Sequence, residues 1–126
     1  MASIGINTRA EISELRDWFL AADESLFKDL GPNAKQKILA AIENVKEKYC
    51  RNYKTFAKLL ELIKKIIERM EAGYYIDENN KMVPISYELA EKYEKRLYTY
   101  LAAIEDLELV LILEKLPDWD NFSMGL

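Results

Sequence analysis

The sequence predicts an all-α fold: a helical bundle of three to four helices, built on two long antiparallel helices, with a small β-hairpin or ordered loop at the tip. From Tyr53 to Met70, apolar residues recur at alternating steps of three and four, the spacing of a helix face that packs on a partner helix. The same spacing recurs from Ala90 to Leu111. Because only a short connection joins these stretches, they are expected to pack antiparallel.

The length and composition of the chain favour a single domain covering residues 1–126. Half of the residues are apolar, about a third are charged, and the net charge is −4, which gives no general attraction to nucleic acid or anionic membranes. The start of the chain has no signal-peptide pattern, and no apolar run is long enough to span a bilayer. Cys50 is the only cysteine, which fits a reducing compartment. We therefore expect a soluble cytoplasmic protein that does not contact membranes.

Residues 8–30 are predicted to form the N-terminal helices. Thr8 and Glu11 have the spacing of a capping box at a helix start. The helix that follows carries an apolar stripe, and Asp23 is expected to cap a second, short helix. The stripe consists of Ile12, Leu15, Phe19 and Ala22, with Trp18 beside it.

Residues 33–72 read as one long helix whose apolar stripe shifts near Asn52. A stutter in a single helix would produce this shift, and so would a break with Asn52 capping the second piece. No proline or glycine interrupts the stretch, which favours one helix. Gly73 is predicted to end it in the left-handed conformation.

Residues 74–84 are predicted to form a hairpin or an ordered loop. Tyr74, Tyr75 and Ile76 favour a strand, and the segment 77–80, Asp-Glu-Asn-Asn, is typical of a turn. Pro84 restricts the second strand to an edge of the sheet.

Residues 86–116 are predicted to form the last long helix, capped by Ser86, and residues 117–126 form a tail. The second half of this helix also carries apolar residues away from its main stripe, at Ala102, Leu109 and Ile112. They need a cover. The N-terminal stripe could supply it, and a second copy of the chain would bury the same residues equally well.

The composition argues against several kinds of chemistry. The chain has no histidine, which is the commonest general base and metal ligand, and its four glycines are not spaced as a phosphate-binding loop. We therefore expect no enzymatic activity, no catalytic residues, no cofactor and no metal site.

Exposed aromatic and apolar residues indicate a non-enzymatic protein–protein interaction or assembly module, such as a homo-oligomeric subunit or an adaptor. The partner would be another protein or a second copy of the chain, as a homodimer. Each assignment has a structural alternative. Strand propensity explains the tyrosines, burial in the core explains the apolar residues of the last helix, and packing of the tail on the helix ends explains its aromatic residues. The predicted partner-binding residues are Tyr74, Tyr75, Leu109, Ile112, Trp119 and Phe122.

The alternative function is that of a nucleic-acid-associated accessory protein. Between Lys46 and Arg69 the chain has eight basic residues against three acidic ones. A basic helix face can contact phosphates, although a solvated surface explains the same pattern and no aromatic residues interleave the row. The residues of this alternative are Arg51, Lys54, Lys58 and Lys65.

Overall fold

The computed structural model describes residues 6–48 and 53–106, together with residues 109, 112 and 115. Within these residues the predicted all-α class with a small hairpin is confirmed. The elements in chain order are α1 (Ile6–Ala21), a 3₁₀ helix (Glu24–Leu30), α2 (Ala34–Lys48), α3 (Tyr53–Ala72), β1 (Tyr74–Ile76), β2 (Met82–Pro84) and α4 (Tyr87–Glu105).

Helix α3 lies at the centre of the core because its apolar face is wide enough for two neighbours. It packs against α4 on one side and α1 on the other. Helix α4 contributes the stripe that the periodicity predicts, from Tyr93 to Ile104. The buried residues of α3 are Phe56, Ala57, Leu59, Leu60, Leu62, Ile63, Ile66 and Ile67.

Helices α1 and α2 run antiparallel, as two polar contacts show. The Lys35 ammonium, in the first turn of α2, donates to the carbonyl oxygens of Leu20 at 2.9 Å and Ala22 at 2.7 Å, at the end of α1. Further along, Arg16 of α1 pairs with Glu43 of α2 at 3.0 Å. Lys35 therefore satisfies carbonyl groups that the end of α1 leaves without helical partners.

Helix α1 runs in the same direction as α3. Glu11, early in α1, lines the same groove as Glu61 of α3, and Trp18, further along α1, lies with its ring centre 5.6 Å from the Lys64 ammonium. The close helix pairs are α1–α2, α2–α4, α4–α3 and α3–α1, which gives the order α1, α2, α4, α3 around the bundle. Helices α1 and α4 therefore lie on a diagonal.

The prediction of one helix over 33–72 depends on residues 49–52, which lie outside the described residues. On either side of them the structure has the separate helices α2 and α3. Helix α2 runs against α1 and α3 runs with it, so α2 and α3 have opposite directions.

Most of the predicted helix boundaries are confirmed by their capping contacts. The Asp23 carboxylate accepts the Ser25 N–H at 2.9 Å, the Ser86 hydroxyl accepts the Leu89 N–H at 3.1 Å, and Gly73 has φ 82°. The capping box at Thr8 is wrong: α1 begins at Ile6, so Thr8 lies inside the helix, where it cannot act as the cap.

Helix α4 ends at Glu105, whereas the prediction extended this helix to residue 116; beyond Glu105, Leu109 and Ile112 are again in helical conformation. Asp106 has φ −137° and ψ 112°, an extended conformation that breaks the helical hydrogen-bond pattern. Leu109 and Ile112 lie beyond this break and are 39% and 58% exposed.

The N-terminal stripe does not cover the second half of α4, which corrects that prediction. Ile12, Leu15 and Phe19 are buried, but α1 packs against α2 and α3 rather than against α4. The physical reason is that the apolar face of α3 is wide enough to pack against the stripe of α1 as well as against α4. Ala102 and the two residues beyond α4 stay exposed, and their cover by a second copy remains a prediction.

Candidate interaction surface on the hairpin

The hairpin presents one face made only of apolar side chains. Its strands are antiparallel, with Tyr74 opposite Pro84, Tyr75 opposite Val83 and Ile76 opposite Met82. Because successive side chains of a strand alternate between the two faces, four of these residues share one face. We call it the outer face, and its members are Tyr74, Ile76, Met82 and Pro84.

The outer face is open to solvent. Tyr74 is 38% exposed, Ile76 is 49% exposed and Met82 is 66% exposed, and Pro84 is exposed as well. Neither strand adds a charged residue to this face. The larger contiguous apolar patches on a protein surface are often interaction sites.

The opposite face of the hairpin is attached to the bundle. Tyr75 and Val83 are half-buried, and the Arg69 guanidinium carbon lies 4.8 Å from the centre of the Tyr75 ring. The same guanidinium donates to the Tyr93 hydroxyl of α4 at 2.9 Å. Arg69 therefore ties the hairpin to both long helices, which directs the outer face away from the core.

The turn of the hairpin is held by its own hydrogen bonds. The Asp77 carboxylate accepts the N–H groups of Asn79 and Lys81, each at 2.9 Å. Asn80 has φ 63°, the left-handed conformation that asparagine tolerates better than most residues. The turn therefore fixes the register that places the four apolar side chains on one face.

The predicted partner-binding residues lie in three parts of the chain: the hairpin, the segment beyond α4 and the tail. Tyr74 lies on the outer face, whereas Tyr75 packs against Arg69 on the opposite face. Leu109 and Ile112 are exposed beyond the end of α4, far along the chain from the hairpin. Trp119 and Phe122 lie outside the described residues.

Sequence reasoning treated the tip from Tyr74 to Val83 as a candidate contact surface, but it did not assign Ile76, Met82 or Pro84 individually as site residues. It recognised them as strand or edge positions but did not pair the strands. The signal that could have found them is the alternation of each strand combined with a five-residue turn, which places residues 74, 76, 82 and 84 on the same side.

The basic residues of the nucleic-acid alternative do not form an uninterrupted positive row. Arg51 lies outside the described residues, and Lys54, Lys58 and Lys65 are exposed. Lys65 pairs with Glu61 at 3.7 Å. A groove of about 280 Å³ beside them is lined by Glu11, Glu14, Leu15, Glu61, Lys64, Lys65 and Glu68. Four carboxylates against two ammonium groups make this groove acidic, which is unfavourable for phosphate binding.

The groove is an unfavourable environment for the charged form of Glu11. Its partial loss of hydration in the groove raises the pKa of its carboxyl group, and the nearby Glu61 carboxylate raises it further, while Lys58 acts in the opposite direction. In the described ranges, no group of three or more Asp, Glu, His or Cys side chains is arranged to hold a metal ion. No helix in the described part of the chain combines the length and the apolar composition of a membrane span.

Comparisons with protein-family models, with curated proteins and with solved structures find no match for this chain.

Proposed function

We propose that this chain is a non-enzymatic protein–protein interaction module whose contact surface is the outer face of the hairpin. The observation that carries this proposal is the exposure of Tyr74, Ile76, Met82 and Pro84 together on one uncharged face. Burying apolar surface is the main favourable term in most protein associations. Such a face gains free energy when another protein covers it.

The way in which the hairpin is held supports this role. A binding surface is effective when it is preorganised, because less conformational entropy is lost on association. The Asp77 turn fixes the register, and Arg69 attaches the opposite face to two helices. The outer face is thus presented on a fixed base, while its side chains contribute no burial to the core.

The module would work in the cytoplasm, as an assembly subunit or an adaptor. The single cysteine and the acidic net charge of −4 are compatible with that compartment. Leu109 and Ile112 offer a second apolar region at the far end of α4, which suits an adaptor that contacts more than one surface.

Photo-crosslinking in cells tests the proposal. Benzoylphenylalanine would replace Met82 on the outer face or, as a matched control, the exposed Lys54 at the opposite end of α3. We expect irradiation to join the Met82 position to a protein and the Lys54 position to none. Equal crosslinking at the two positions, or no protein crosslinked at Met82, would overturn the proposed function.

A further inference from the structure

One edge of the hairpin is open for pairing with another strand. Gly73 accepts the Ile85 N–H and Lys81 accepts the Asp77 N–H, both at 2.9 Å. Because hydrogen-bonded and non-hydrogen-bonded pairs alternate in an antiparallel ladder, Tyr75 and Val83 form the hydrogen-bonded pair between them. The backbone N–H and C=O groups of Tyr74 and Ile76 therefore point away from β2. No backbone hydrogen bond outside the sheet uses either residue within the described ranges.

The two edges of the hairpin are not equivalent. Residues 82 and 84 direct their backbone groups to the outer side of β2, but Pro84 has no N–H to donate. Proline at such a position blunts an edge against pairing. Strand β1 has no comparable block, so its edge is the one that can accept a partner strand.

We propose that β1 pairs with β1 of a second copy of this chain, antiparallel and about a two-fold axis at Tyr75. The two copies would form one four-stranded sheet, with β1 strands at its centre. This inference rests on the proposed function, since it names the partner of the same hairpin.

The register supports a second copy as the occupant. With the axis at Tyr75, Tyr74 lies opposite the partner's Ile76 and Ile76 lies opposite the partner's Tyr74. Each of these pairs exchanges two backbone hydrogen bonds, giving four in all. An aromatic residue beside a β-branched one is a favourable cross-strand pair, and β1 carries no charge to oppose its own copy.

The small contact makes this pairing weak and reversible. Pairing of the β1 edges leaves the outer face uncovered and adds only four backbone hydrogen bonds and the side-chain pairs beside them. A stable interface buries about 800 Å² on each partner. The dimer is therefore expected to form and dissociate with protein concentration rather than to be permanent.

Sedimentation velocity over a range of concentrations tests the pairing with three proteins. The wild type should shift from monomer towards dimer as its concentration rises. Ile76→Pro removes an N–H that points away from β2, so the hairpin keeps its own hydrogen bonds while the dimer loses two of four. Its self-association should be weaker by at least about tenfold. Glu78→Ala is the control: it changes an exposed residue of the turn, away from the proposed axis, and should dimerise like the wild type.

Each other outcome overturns a definite part of the account. A wild type that stays monomeric at every concentration rules out the self-pairing, whereas the crosslinking at Met82 judges the proposed function independently. If Glu78→Ala abolishes association as fully as Ile76→Pro, the loss does not come from the β1 edge and the pairing is overturned. If Ile76→Pro does not fold, hydrogen exchange of the backbone amides in the wild type tests the pairing instead. The N–H groups of Tyr74 and Ile76 should become better protected from exchange as the protein concentration rises. The N–H group of Met82 should not. Unchanged exchange at all three would overturn the pairing.

Discussion

At the scale of single residues, a few polar side chains join neighbouring elements of the fold. Lys35 binds two carbonyl oxygens at the end of α1, and Arg69 contacts both a strand and α4. Neither role is visible in the sequence, where both residues count only as exposed basic positions. Hydrogen bonds made by charged groups are stronger than those between neutral groups, so each contact has a measurable effect on stability.

Lys35→Met keeps most of the aliphatic side chain and removes the two hydrogen bonds to α1. We expect it to lower the free energy of unfolding by about 1 kcal/mol, because the Leu20 and Ala22 carbonyls lose their charged donor. Urea denaturation measures the change. Lys37→Met, at an exposed position of the same helix, is the control and should stay within about 0.5 kcal/mol of the wild type.

Glu11→Gln is expected to stabilise the protein at neutral pH. The pKa of Glu11 is raised in the folded state, so its charged form opposes folding above that pKa, and the opposition fades as the pH falls through it towards the ordinary value. The variant should therefore lose its advantage in acid. Thermal unfolding from pH 7 to pH 4 checks this, and an advantage that grows towards low pH would contradict the assignment.

At the scale of elements, the helical periodicities predicted α3 and α4 because the spacing of apolar residues along a helix is a local property. The stripes from Phe56 to Ile67 and from Tyr93 to Ile104 are buried as expected. The end of α4 was not predictable in the same way, because no glycine or proline marks Asp106. The hairpin could be predicted from its turn residues, but its outer face depends on strand register, which only the paired strands display.

The Asp77 carboxylate should control the order of the hairpin. Asp77→Ala removes the acceptor of two backbone N–H groups, so the amides that pair Tyr75 with Val83 should exchange faster with solvent. NMR-detected hydrogen exchange measures the change. The exposed Glu78→Ala in the same turn should leave these amides unchanged. Identical exchange in the two variants would show that Asp77 does not hold the turn.

At the scale of the whole molecule, periodicity shows how wide an apolar face is but not which element covers it. The α1 stripe was as compatible with α4 as with α3. The breadth of α3, with Leu59, Leu62 and Ile66 beside its main stripe, decided the arrangement in the structure. For the same reason the candidate site emerged only when the core was complete, as the apolar surface that the fold leaves uncovered.

Substitutions in the core should lower the free energy of unfolding far more than substitutions on the outer face. Ile63 is fully buried in the centre of α3, so Ile63→Ala should lower the free energy of unfolding by about 2–5 kcal/mol. Met82→Ser, at a position that is 66% exposed, should change it by no more than about 0.5 kcal/mol. Denaturation of both variants in urea compares them. A large loss for Met82→Ser would mean that the outer face belongs to the folding core.

The most direct test of the central claim is whether the outer face is covered in the cell. Hydroxyl-radical footprinting can compare the oxidation of Met82 in intact cells with that in dilute purified protein, using exposed Tyr98 on α4 as the internal reference. If the outer face binds a protein, Met82 should be oxidised several-fold less in cells relative to Tyr98. Equal relative oxidation under the two conditions would contradict a protein-binding role for the hairpin.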